Sequence, residues 1–138
     1  MNKVILYSVL DNDPKFETEI QGDFKDLLGF QDYRIVTGKE EKGRYTIFAF
    51  LKEWEVVPLT KIFKKYEMFI NCKDITNDVV MGRFPSDEYK SNFEFVTDRK
   101  ILNDFIKSNT TIDHVLDMIS ESGIDNLNEF QRTILKNF

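Results

Sequence analysis

The stretch Val4-Ile5-Leu6-Tyr7-Ser8-Val9-Leu10 is apolar at nearly every consecutive position, includes β-branched and aromatic side chains, and ends at the polar run Asp11-Asn12-Asp13. Successive side chains of a strand point to opposite faces, so a strand wetted on one side alternates in polarity. A continuous apolar run of this length reads instead as a strand buried on both faces. Tyr45–Leu51, YTIFAFL, repeats the pattern. Tyr33–Thr37 and Met68–Lys73 also read as strands, but Arg34, Asn71 and Lys73 interrupt them. Asp13-Pro14 predicts a helix start, with Asp at the cap and Pro in the first helical position. Phe16, Ile20, Phe24, Leu27 and Leu28 mark one face of that helix, and Gly29-Phe30 closes it. Gly38-Lys39-Glu40-Glu41-Lys42-Gly43 is a hairpin connection. Val57-Pro58 opens a second helix with Leu59, Ile62, Phe63 and Tyr66 inward and Lys61, Lys64 and Lys65 outward. Those lysines lie toward the C-terminal end, where cations suit the helix dipole.

The resulting order, β-α-β-β-α-β, predicts an α+β fold: a ferredoxin-like antiparallel sheet with a C-terminal helical extension. In that arrangement the first and third strands lie in the middle, and these are the two strands that are apolar throughout. Helices on one face of an antiparallel sheet ordinarily leave the other face to water. Here the second face must be covered, either by a partner subunit or by the last third of the chain. Ile101, Leu102, Phe105 and Ile106 are the candidate cover, on a helix starting near Thr97-Asp98, followed by a terminal hairpin. Between them Val79-Val80-Met81, Phe93 and Phe95 look strand-like, and Gly82–Ser86 looks like a loop. The domain division expected is 1–96 for the ferredoxin-like part and 97–138 for the C-terminal helices.

The hairpin, 111–138, reads as helix, glycine turn, helix. Thr111 caps the first helix, and Ile112, Val115, Leu116 and Ile119 recur at i, i+3, i+4 and i+7. Gly123 falls where a left-handed residue is needed, with Ile124 as the apolar residue of a Schellman close. Asn128-Glu129-Phe130-Gln131 fits a capping box, and Phe130, Ile134, Leu135 and Phe138 form the second stripe. This segment resembles a short C-terminal helical hairpin of small uncharacterised proteins of Bacteroidetes-type bacteria and their phages. Val115-Leu116-Asp117, Ile119-Ser120, Gly123-Ile124-Asp125 and Leu127 carry the resemblance; Met118 and Asn126 depart from it, and Asn128 replaces the usual capping Thr. It covers about a fifth of the chain and implies a type of source, with no activity and no catalytic residue.

At 138 residues, 41% hydrophobic and with 13 Phe, the chain has enough apolar surface for a real core. A net charge of −5 argues against nonspecific binding to nucleic acid or membrane, both of which select a basic surface. Cys72 is the sole cysteine, so an intrachain disulfide and a multi-cysteine zinc site are excluded. The apolar run behind Met1-Asn2-Lys3 is too short for a membrane span and lacks a small-residue cleavage site, so a cytoplasmic protein is expected.

No catalytic, cofactor or metal set emerges. His114, the one histidine, lies beside its helix stripe and reads as a surface or boundary residue; Cys72, in phase with Met68 and Ile70, reads as a buried thiol. Val4–Asp13 resembles the start of small CRISPR-associated Cas2-type nucleases, a strand running into aspartates. That resemblance implies a metal-dependent alternative on Asp11 and Asp13, although both are explained as turn and cap residues. RNA-recognition motifs share the element order, which makes RNA binding the other alternative, with Tyr7 as a stacking residue and Lys61, Lys64 and Lys65 as a basic patch. Their third strand carries aromatics where Lys42–Phe48 has Arg44 and Thr46. Trp54, between Glu53 and Glu55, either packs on the second helix or is an exposed anchor; packing is the commoner outcome. The expectation is a non-enzymatic protein-interaction module, self-associating or an inhibitor of immunity or phage-accessory type, with a protein partner or a second copy and no small-molecule ligand. Its candidate contact surface is the sheet face away from the first two helices or the exposed side of the hairpin, and Trp54, Tyr89 and Phe138 are its candidate contact residues. Acidic clusters at Asp11-Asn12-Asp13, Glu40-Glu41 and Asp87-Glu88 would steer a basic partner.

Overall fold

The computed structural model describes residues 2–10, 17–29, 34–38, 42–83 and 96–137. The chain divides into two compact units, Met1–Asp74 and Ile75–Phe138.

The first unit runs β1 (Asn2–Leu10), α1 (Glu17–Leu28), β2 (Ile35–Thr37), β3 (Arg44–Lys52), α2 (Val56–Lys65) and β4 (Phe69–Asp74). Its strands form one antiparallel sheet in the order β2-β3-β1-β4, so the two continuously apolar strands lie in the middle. The register sets Ile5, Tyr7 and Val9 opposite Ala49, Ile47 and Tyr45 on one face, and Val4 and Leu6 opposite Phe50 and Phe48 on the other. On the first face Ile5, Tyr7, Val9, Ile47, Ala49 and Leu51 pack with Ile20 of α1 and Leu59 and Phe63 of α2. The Tyr7 and Phe24 rings meet Phe63 at centroid distances of 5.0 and 5.6 Å. On the second face Val4, Leu6, Val36, Phe48 and Phe50 are buried as well. The two-sided burial read from the continuous runs is therefore observed, and each of these side chains contributes about 1.5–3 kcal/mol.

The buried Tyr7 hydroxyl shares a hydrogen bond of 2.8 Å with Thr60 Oγ1, and burial pushes its pKa up. α1 is tied to α2 by Asp23, which accepts from the Tyr66 hydroxyl at 2.6 Å and from Lys65 Nζ at 3.0 Å. These two donors, Tyr66 foremost, hold the Asp23 carboxyl below its ordinary range. The predicted cap at Asp13-Pro14 lies outside the described residues.

Cys72 is exposed, contrary to the buried thiol expected from simple alternation. A bulge sits in this strand: Val9 pairs with Phe69 and Ser8 with Asn71, so Ile70 is an extra residue, and beyond it Cys72 pairs with Tyr7 on the helix-bearing side. Its exposure goes with the edge position of β4, whose residues 71–74 are exposed on both sides.

The second unit contains α3 (Thr76–Val80), α4 (Val96–Asn109), α5 (Ile112–Ser122) and α6 (Glu129–Asn137). Val79-Val80-Met81 belongs to a helical turn and its end rather than to a strand; a run of three apolar residues carries no period of its own. The carbonyls at the end of α3 are satisfied by side chains of the same unit. Thr110 Oγ1 donates to Val80 O at 2.8 Å, Gln131 Nε2 to Met81 O at 2.9 Å and Asn128 Nδ2 to Gly82 O at 3.2 Å. These bonds explain why Ile75–Arg83, grouped with the first domain on sequence, belongs to the second unit. Phe93 and Phe95 lie outside the described residues. Gly82 has φ +70°, and a Cβ there would sit 2.8 Å from Gln131 Cγ. The capping box at α6 is present: Gln131 N–H donates to Asn128 Oδ1 at 2.7 Å, and Asn128 N–H to Gln131 Oε1 at 3.1 Å.

α5 buries Val115 and Met118, while Ile112 and Leu116, expected inward, are exposed. Two apolar stripes overlap on this helix, and the packing selects the second. Gly123 has φ 76° with ψ 148°, which is an extended glycine conformation and not the left-handed helical one expected, and Ile124 is exposed instead of closing a Schellman motif.

Candidate protein-binding site

The site grows from the end of β3. Lys52 is followed by one 3₁₀ turn, Glu53–Glu55, that leads directly into α2. Glu55 folds back as the third residue of the turn and accepts the Lys52 backbone N–H at 2.7 Å. From the entry to β2, Arg34 Nη1 donates to Glu55 Oε2 at 2.9 Å, and Arg34 Nη2 pairs with Oε1. Arg34 Nε donates to Phe50 O at 3.1 Å, which fixes the guanidinium against β3. Glu55 is only 2% exposed. Burial alone would raise its pKa, but the Arg34 fork and the Lys52 N–H outweigh burial and hold the carboxyl below its ordinary value.

With Glu55 clamped inward, the turn faces Trp54 outward. Its side chain is 62% exposed, as is Val57 one turn further along. Asn2, Lys52 and Glu53 line a shallow depression beside the indole. Lys61 continues the same face one turn beyond Val57 and is exposed. An indole on a regular turn held by a buried ion pair is preorganised, which would lower the ordering cost of any contact it made.

Trp54 is thus exposed and not the packed residue that the commoner outcome suggested. Tyr89 and Phe138 lie outside the described residues, as do Asp11, Asp13, Glu40, Glu41, Asp87 and Glu88. The sheet face named as a contact surface is buried, because its Val4, Leu6, Phe48 and Phe50 are core residues. Tyr7 is 0% exposed and packed on the helix-bearing face, so its ring is not available to stack on a base. Lys65 is engaged with Asp23, and Lys64 lies 5.2 Å from the Phe69 ring centroid. His114 caps its own helix: its Nδ1 accepts the Thr111 N–H at 2.9 Å, in the place a Glu or Gln takes in the usual box. Among the described residues no group of three or more His, Cys, Asp or Glu is placed to hold a metal ion, and no helix is long and apolar enough to cross a membrane.

The Arg34–Glu55 pair was not anticipated. Its signal was there: an arginine opening a short strand, and a glutamate three residues after a strand end. Comparison with protein-family models, with curated proteins and with solved structures gives no match.

Proposed function

We propose that the chain is a non-enzymatic protein-interaction module with a ferredoxin-like first unit and Trp54 as the anchor of its contact. The single observation that carries this reading is the outward indole, 62% exposed on a turn fixed by a buried ion pair. Tryptophan is the residue most enriched at binding hot spots, and an exposed one costs solubility without adding to the core. The sheet order β2-β3-β1-β4, with every neighbouring pair antiparallel, supports the ferredoxin-like arrangement. The overall charge of −5 favours a basic partner, as an inhibitor of a basic enzyme site would meet.

The test is affinity capture from the native host, comparing the wild-type chain with Trp54→Ala at equal loading. A protein retained by the wild type and lost with Trp54→Ala is expected. Equal retention by both, or a strictly monomeric chain that retains nothing, would refute the reading.

A further inference from the structure

We propose that the outward face of α5 docks a basic amphipathic helix of a partner protein. Trp54 belongs to the first unit and α5 to the second, so this face is independent of the Trp54 site.

α5 turns Val115 and Met118 into the core of its unit. At about 100° per residue, Ile112 and Leu116 then form one edge of the outward face and Asp113 and Asp117 the other. Ile112 is 62% exposed and Leu116 57%, one turn apart, so they are side-by-side neighbours on the surface. Ile119, half-buried, continues this edge toward the core. The helix contains Asp113, Asp117 and Glu121 and no Lys or Arg. Arg83 Nη1 donates to Glu121 at 2.6 Å, whereas Asp113 and Asp117 meet no cation among the described residues. Asp113 in the first turn suits the helix dipole; Asp117, a turn further along, gains nothing from it. Past the helix end, exposed Ile124 and Asp125 repeat the pairing of an apolar residue with an acid.

The apolar edge alone would accept any greasy surface. The acidic edge beside it selects among occupants. A second copy would set Asp113 and Asp117 against like charges, and an anionic membrane would be repelled. The complement is a helix with Leu, Ile or Phe at i and i+4 and Lys or Arg alongside, the helix-on-helix mode of recognition.

The test titrates the full chain into a labelled helical peptide of about 14 residues, with Leu at i, i+3 and i+4 spacing and Lys elsewhere, against a Leu/Glu counterpart. Saturable binding of the Leu/Lys peptide is expected, weakening with added salt. Leu116→Ser and the pair Asp113→Lys/Asp117→Lys should each weaken it at least about tenfold. The same reversal at Asp104 and Glu129 should leave it within about twofold. All four positions are exposed, so the melting midpoint serves as the control for folding. Trp54→Ala should bind the peptide like the wild type, which separates this outcome from the fate of the Trp54 reading. Three results would overturn the proposal: no binding, equal binding of both peptides, or affinities indifferent to position 116. A fourth is sedimentation showing a dimer that Leu116→Ser dissolves, which assigns the face to a second copy.

Discussion

Replacing Arg34 with Met probes the clamp on which the Trp54 site depends. The Glu55 carboxylate, 2% exposed, would keep the Lys52 N–H at 2.7 Å and lose both guanidinium bonds. Removing one partner of a buried ion pair costs about 3–5 kcal/mol, because the other charge remains buried and unpaired. Two features place this site at the lower end, about 3 kcal/mol: the surviving amide bond, and the 21% exposure of the Arg34 side chain, which lets water reach the gap. Replacing both residues, Arg34→Met with Glu55→Met, removes the stranded charge and leaves mainly the hydrogen bonds of Glu55 to the Lys52 N–H and of Arg34 to Phe50 O unmade. The double variant should therefore lie within about 1–2 kcal/mol of wild type, about 1–2 kcal/mol more stable than Arg34→Met. Urea denaturation near neutral pH, followed by the fluorescence of Trp54 and by far-ultraviolet dichroism, measures both differences. Because Trp54 adjoins the clamp, its emission should also change in the folded Arg34→Met protein. A single variant that loses less than about 1 kcal/mol, or a double variant no more stable than Arg34→Met, would refute the reasoning.

The same clamp has a pH signature. The folded-state pKa of Glu55 is lowered, so its stabilisation is complete above the unfolded value of about 4.3 and is lost as pH falls through the lowered folded value. The stability gap between wild type and Glu55→Gln should stay level from about pH 8 to pH 5 and close below about pH 4, as urea midpoints across that range would reveal. Two glycines should respond with opposite signs. Gly82→Ala forces a positive φ and a 2.8 Å approach to Gln131 and should cost about 2 kcal/mol, whereas Gly22→Ala, inside α1 with open space around it, should add about 1 kcal/mol. Thermal midpoints moving in the same direction would contradict the backbone description. Cys72 should react with a thiol reagent in the folded chain at nearly the rate seen in denaturant; strong protection would restore the buried-thiol reading.

The strands announced themselves because Val4–Leu10 and Tyr45–Leu51 are apolar without alternation, and two-sided burial leaves no other pattern. Gly29, with φ +77° and its N–H on Lys25 O at 2.8 Å, closes α1 where a glycine after the last apolar position suggests. The Asn128–Gln131 box was legible for the same local reason. What escaped the sequence depends on distant partners. The bulge at Ile70 is set by pairing with β1, and the exposure of Cys72 goes with the place of β4 at the sheet edge. On α5, Ile112-Leu116-Ile119 and Val115-Met118 are both apolar series of helical spacing, and only the packing of the second unit distinguishes them. Trp54 is turned outward by Arg34, a residue 21 positions away from Glu55, which no local reading connects to it. Gln131 was visible as a cap residue, but its second bond, to Met81 O, joins segments 50 residues apart.

Acrylamide quenching of the lone tryptophan, in dilute purified chain, tests most directly whether Trp54 stands free in water. An indole held in water by the Arg34–Glu55 clamp should be quenched nearly as efficiently as a free one. An indole sheltered from the quencher at concentrations where the chain is monomeric would contradict the anchor and the function built on it.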